Sequence, residues 1–320
     1  MIFPGLFARD AATARPPKWN GYMQTRFADD YRDLTGFSIR RAKLWVKGKA
    51  PLPGNWFYKV QGLFRYQTGG AYSLQDVYAE YRRHEWSIRL GQQVPDFSLQ
   101  RSQPDYAIPV IERGRVIDAL IPAAETGARD IGARALVNLP ENRGHVSLGI
   151  FNGNGGNQSG NEDRDFLFTH RLVYRLNTGQ FSAAFGYSLA YRRTVGLKFK
   201  KILGNHPFTG DDFRWGLEAR FRGKQWQLQG EYLETHLENR RAWGYYLLAD
   251  LLLPGKNRAV FSLDKYRDLN PATDDHPWFI IGLNHRFAGD RAKLMLDQRV
   301  QFADRQTHYL TSLQLQLFFN

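Results

Sequence analysis

Cysteine is absent from the 320 residues, which excludes disulfides and thiolate metal sites. Long apolar runs are absent as well. A membrane helix needs roughly eighteen uninterrupted apolar residues, whereas the most apolar stretch here, 245–253, is short and broken by Asp250. Common enzyme signatures are missing: there is no HExxH and no GxSxG, and the histidines are scattered without ligand spacing. The glycine-rich stretch 154–156 leads into no helical pattern, so a phosphate-cradling loop is not indicated. No catalytic residue, metal ligand or cofactor site is expected.

What is present looks soluble in bulk and is not soluble in pattern. Net charge is +13 and mean hydropathy is −0.51. Both suit a membrane barrel, whose lumen and loops are polar. Aromatic residues make up 14% of the chain, a share that suits interfacial girdles. The closing stretch sets the pattern. Leu313, Leu315, Leu317 and Phe319 fall on one face of an extended strand, with Ser312, Gln314 and Gln316 on the other. A sandwich edge strand could carry this row, but an unpaired apolar edge invites aggregation and barrel closure removes it. Earlier segments repeat the alternation: Trp56, Tyr58, Val60 and Phe64 oppose Lys59, Gln61 and Leu63. Phe213, Trp215, Leu217 and Phe221 oppose Arg214, Glu218 and Arg220.

About sixteen such segments begin near Asn20, Phe37, Trp56, Ser73, Trp86, Asp130, His145, Phe166, Phe181, Phe213, Trp226, Ala242, Ala259, Trp278, Ala292 and His308. Every second connection is short: 48–54, 82–85, 138–144, 177–180, 222–224, 254–257 and 288–291. Several of the others are long: 95–126, 152–164, 193–211 and 268–277. Loop lengths sorted by parity fit an outer-membrane barrel with short periplasmic turns. The fold class is therefore all-β: a transmembrane, antiparallel, up-and-down barrel of about sixteen strands. Residues 1–18 are assigned to an N-terminal segment, either the remnant of an export signal or a lumenal or periplasmic tail. Residues 19–320 form a single barrel domain.

The connection 95–126 carries Ile108, Val110, Ile111, Val116, Ile117, Leu120 and Ile121, too apolar to float in water. Barrels of this size otherwise leave a wide aqueous pore, so this third extracellular loop is expected to fold against the inside of the wall. The alternatives are packing over the rim or against a neighbouring subunit. Folded inward, it places Arg101, Arg113 and Arg115 in the channel, with Glu112 and Asp118 available to hold their guanidinium groups.

The stretches FSIRRAKLWVKG at 37–48, NWFYKVQGLFR at 55–65, SLQDVYAEY at 73–81, WSIRLGQQVPDFSLQRSQ at 86–103, YAIPVIERGRVIDAL at 106–120 and GIFNGNG at 149–155 together resemble the phosphate-selective porin O and P family. The resemblance implies a sixteen-stranded outer-membrane barrel, usually a trimer, with the third loop in the pore and a ladder of basic residues. Arg40 and Arg41 match the paired arginines of the second strand. Lys198 and Lys200, in LKFKK after the ninth strand, match a basic ladder segment in a loop. Arg101 stands where phosphate-binding members carry a constriction lysine. Those members follow it with a serine pair, whereas this chain reads Ser102, Gln103, Pro104, Asp105. An acid and a proline replace two hydroxyl donors, so tight phosphate selectivity does not carry over.

By parity the inward row includes Arg41, Lys43, Lys59, Arg134, Arg171, Arg175 and Arg220, with Asp76, Glu80, Asp130, Glu218, Glu231, Asp264 and Asp297 on the same side. A cation facing lipid at mid-membrane costs about 2–4 kcal/mol, which assigns these residues inward. Part of the row is expected to pair with the acids and rigidify the wall. The remainder raises the local anion concentration. The reading is a bacterial outer-membrane porin that passively conducts small anions, phosphate-like or other. Its expected partners are those anions, outer-membrane lipid and lipopolysaccharide, and further copies in a homotrimer; nucleic acid is not one. The alternative is an outer-membrane scaffold or adhesin with a plugged lumen.

Overall fold

Period-two alternation closes on itself in a computed structural model, which describes residues 17–65, 71–161, 164–270, 275–304 and 306–319. Sixteen strands pair in sequence order, every pair antiparallel, and β1 (Lys18–Asp29) pairs with β16 (Thr307–Phe319) to seal the cylinder. The N-terminal segment assigned to 1–18 lies, up to residue 16, outside the described residues. The other strands are β2 (Thr35–Lys49), β3 (Trp56–Arg65), β4 (Ala71–Arg83), β5 (Trp86–Gln93), β6 (Asp130–Asn138), β7 (Gly144–Phe151), β8 (Leu167–Asn177) and β9 (Ser182–Lys198). They continue with β10 (Pro207–Arg222), β11 (Trp226–Leu237), β12 (Arg240–Leu253), β13 (Asn257–Arg267), β14 (Trp278–Arg286) and β15 (Ala292–Phe302).

Each strand has one exposed apolar row and one buried row rich in polar groups. Phe37 is 87% exposed, and Phe168, Leu217, Leu247, Ile281 and Leu313 are all exposed. On the opposite rows Gln24, Arg41, Lys43, Arg171, Arg214, Glu231, Asp264, Lys293 and Gln316 are buried. A soluble protein reverses this order. Apolar outside and polar inside is the order that lipid imposes, and this is an outer-membrane barrel.

Register shifts break the parity between β9 and β10, between β1 and β2 and between β3 and β4, and the last two bear on the inner wall. Between β1 and β2, Gln24 pairs with Arg41 and Thr25 with Ile39, leaving Arg40 as the extra residue of a bulge. Between β3 and β4, Val60 pairs with Val77 and Gly62 with Leu74, so Gln75 and Asp76 together oppose Gln61. A bulge re-aims a side chain that strict alternation would send to the other face. Both Gln75 and Asp76 are buried.

The connections on one side of the barrel, including 50–55, 84–85, 178–181 and 223–225, are short. One expected long loop is corrected. The stretch 193–211 is mostly strand, because β9 runs to Lys198 and β10 starts at Pro207, leaving 199–206 as the connection. The basic and glycine-containing residues there look like loop chemistry, yet Arg192–Asp212, Arg193–Asp211 and Pro207–Lys198 continue the ladder. The longest connection, 94–129, carries two short helices, α1 (Leu99–Ser102) and α2 (Arg115–Leu120). A third, α3 (Lys200–Leu203), lies between β9 and β10.

Candidate functional site: the polar wall and the 94–129 segment

The buried apolar side chains of the long segment form a cluster with the strands. Val116, Ile117 and Leu120 of α2 join Phe199 and Ile202 beside α3, and Leu233, Leu237, Ala242, Tyr246, Val260 and Tyr266 of β11, β12 and β13. Each fully buried side chain of this kind contributes about 1.5–3 kcal/mol. This packing explains why the segment is so apolar.

Wall carboxylates then grip its backbone. Glu231 accepts from the Leu99 N–H at 2.9 Å and the Gln100 N–H at 2.6 Å. Asp297 accepts from the Ile111 N–H at 2.9 Å, and Asp264 from the Arg115 N–H at 2.6 Å. Wall donors take its carbonyls: Arg214 Nη1 donates to Leu120 at 3.0 Å and Ile121 at 2.8 Å, Asn284 Nδ2 to Pro109 at 2.6 Å, and Lys293 Nζ to Tyr106 at 2.8 Å.

Side-chain ion pairs complete the attachment. Asp105 pairs with Lys43 and Arg113, and Arg41 Nε lies 3.7 Å from it. Burial raises the Asp105 carboxyl, but Arg113, Lys43 and Arg41 outweigh it and hold it well below the usual carboxylate range. Glu112 accepts from Arg26 at 2.7 Å, Arg40 at 2.5 Å and Arg41 at 3.3 Å. Again burial raises the carboxyl, and Arg41, Arg40 and Arg26 bring it below its ordinary value. The bulge in β2 is what lets adjacent arginines reach one carboxylate. Arg129 donates to Asp76 at 2.9 Å, beside the second bulge, and Asp76 also accepts from Lys59 at 2.6 Å.

The expectation that Glu112 and Asp118 would hold Arg101, Arg113 and Arg115 is corrected. Glu112 takes arginines of the wall instead, and the acid partner of Arg113 is Asp105. Arg113 also donates to the carbonyls of Gln100 at 3.1 Å and Gln103 at 2.6 Å. Arg115 lies 3.7 Å from Asp264 and donates to the His276 carbonyl at 2.9 Å. Arg101 donates to the Gly127 carbonyl at 2.9 Å and makes no ion pair among the described residues. Burial, then Arg129 and Arg113, push its pKa down to about 9, which leaves it charged at neutral pH. Lys198 ends β9 and Lys200 begins α3; both are exposed.

Arg134, Arg175 and Arg220 line one cavity of about 220 Å³. Its charged centre is a triad invisible in the sequence. Arg171 donates Nη1 to Asp96 at 2.6 Å, and Nε and Nη2 to Glu218 at 3.1 and 2.7 Å. Asp96 comes from the long segment; burial raises its carboxyl, and Arg171, His145 and Arg134 bring it below the ordinary range. Gly186 pairs with Glu218, and a Cβ there would stand 3.0 Å from that carboxyl carbon, so glycine makes room for the triad. Asp96, Asp105, Arg129 and the backbone-gripping role of Glu231 escaped sequence reasoning. Only the inward parity of Glu231 was a signal.

A closed antiparallel cylinder with an apolar exterior and a charged inner wall is, as a class, an outer-membrane porin. The family model for phosphate-selective porins O and P matches residues 17–260, and the chain belongs to that family. A search of curated protein sequences found no match. Among solved structures, OmpF of Salmonella typhi in complex with daunomycin is 13% identical, with a TM-score of 0.69 over 95% of this chain and 97% of that one. OprB of Pseudomonas putida is 9% identical, with a TM-score of 0.68 over 96% and 95%. The trimer form of OmpT, an outer-membrane protein of Vibrio cholerae, is 9% identical, with a TM-score of 0.62 over 95% and 99%. At these identities the likeness is one of fold.

Proposed function

We propose that this porin prefers small anions, that the 94–129 segment folds into the pore as its constriction, and that the molecule works as a homotrimer in lipopolysaccharide-bearing outer membrane. One observation carries the anion preference: the acids are spoken for and several cations are not. Each buried acid has a cation or a backbone N–H as partner: Asp76, Glu80, Asp96, Asp212, Glu218 and Asp250 hold cations, and Asp130 and Glu231 hold N–H groups. Arg101, Arg175 and Arg220 make no ion pair among the described residues. A wall with neutralised acids and spare arginines concentrates anions.

Hydrogen bonds from the segment to β10, β11, β13, β14 and β15 support the constriction. Of the residues expected to carry anions, Arg101, Arg134 and Arg220 retain donor capacity. Arg40, Arg41, Lys43, Lys59, Arg113 and Arg115 act mainly through the acids that they hold. Lys198 and Lys200 stand outside this network, where they draw anions toward the mouth. The test is a reversal potential across a potassium chloride gradient in planar bilayers. Chloride should permeate better than potassium; a preference for potassium rejects the reading. The low exposure of Lys293 (1%), Arg214 (1%) and Gln316 (0%) supports the second reading, a plugged scaffold, which a conductance near zero would establish.

A further inference from the structure

The proposal here rests on the anion-conducting reading and adds a defined ligand site to it. Arg175 on β8 and Arg220 on β10 are the two register partners of Ala184 on β9. A single methyl group between two arginines leaves a gap in the wall with a guanidinium group on either side. The gap belongs to the cavity of about 220 Å³, whose lining includes Leu99 and Ser102 of α1 and Leu136 and Val173 of the wall. It lies toward the short-turn side, because β8 ends at Asn177 and β10 at Arg222. In outer-membrane barrels that side is periplasmic.

The acids of this cavity direct their hydrogen bonds to Arg171 rather than to these arginines. Arg171 occupies Glu218 with two nitrogens and Asp96 with the third. Ser147 Oγ donates to Asp96 at 2.8 Å as well. Among the described residues the Arg175 side chain donates only to the Asn142 carbonyl, at 3.4 Å. Arg220 is half-buried and crowded by the like charges of Arg222, Arg175 and Arg171, with Glu218 as an opposing charge. At the edge of the cavity, Arg134 sets Nη2 3.5 Å from Glu80, while its Nε is buried without a hydrogen-bond partner among the described residues. Clustered guanidinium groups that outnumber the acids beside them are unfavourable, and an oxyanion relieves them while matching their forked donors.

We infer that this recess is a resting site for an oxyanion, a carboxylate or phosphate group, held between Arg175 and Arg220 with Arg134 at the edge. Chloride, a single atom, offers no pair of oxygens for a fork and passes with less retention. The test uses single-channel chloride current through the full chain, titrated with inorganic phosphate and, separately, with succinate. The expected result is concentration-dependent block by at least one of them, and block by one alone also names the ligand. The double variant Arg175→Gln/Arg220→Gln should raise the half-blocking concentration at least tenfold. Ala184→Leu keeps both charges but fills the gap, and should weaken block comparably. Block unchanged in both variants overturns the site. An anion-selective wild type that neither oxyanion blocks overturns the recess and leaves the conduction reading standing. A cation-selective wild type fails that reading itself, and the recess with it.

Discussion

Arg113 and Arg101 occupy the same segment and carry the same charge, yet their surroundings differ. Arg113 spends its nitrogens on Asp105 and two backbone carbonyls, whereas Arg101 holds one carbonyl and has a buried Nε without a partner. Removing one partner of a buried pair costs about 3–5 kcal/mol. Arg113→Ala should therefore lower the temperature at which the barrel unfolds on heated gels. Arg101→Ala should leave that temperature nearly unchanged and reduce anion preference. Equal shifts in both variants would contradict the assignment.

Acid has a direction at this scale too. Asp105 and Glu112 are held below their unfolded values, so their contribution is complete above the unfolded pKa of roughly 4 and is lost as pH falls through the lower folded pKa. Protease resistance of the segment should be constant from neutral pH to about 5 and fall only in stronger acid. Loss of resistance between neutrality and pH ~6 would point to a histidine instead. The residues of the wall were legible because period two sorts them. Their partners were not. Asp105 looked like a departure from a binding pattern, and nothing in a sequence says that Glu231 will hold backbone N–H groups rather than a cation.

Among elements, strand identity was legible and strand length was not. All sixteen strands occur in the expected order. The misread stretch is the β9–β10 hairpin, where Arg193, Gly210 and Asp211 have loop composition but ladder pairing. The bulges at Arg40 and at Gln75–Asp76 also defeat counting, since parity assigns adjacent residues to opposite faces. Both bulges contribute to attachment: Arg40 reaches Glu112 and Asp76 reaches Arg129. The element-scale prediction concerns α2. Ile117 is 0% exposed, and Ile117→Ala should destabilise its seat by about 2–5 kcal/mol. Hydrogen exchange should speed up across Arg115–Leu120 with the strand amides unaffected, and uniform acceleration would mean that α2 has no seat of its own.

At the scale of the molecule, closure of β1 on β16 removes the edge that an apolar last strand would otherwise expose. The apolar cluster of α2 and α3 lies against β11, β12 and β13, while Arg134, Arg175 and Arg220 stand on β6, β8 and β10. The proposed anion preference is a field effect, and salt should weaken it. The screening length shrinks from about 10 Å at 0.1 M to about 3 Å at 1 M. The chloride-to-potassium permeability ratio should therefore fall toward unity across that range, and a ratio independent of salt would indicate sieving by size.

Glu231, Asp264 and Asp297 hold the long segment by its main-chain N–H groups. A fastening of that kind does not read the letters of the strip it holds. Letters that the clasp does not hold, such as Arg101, can be rewritten without unhooking the strip, so one barrel can be retuned from solute to solute by editing a few words inside a clasp that stays shut.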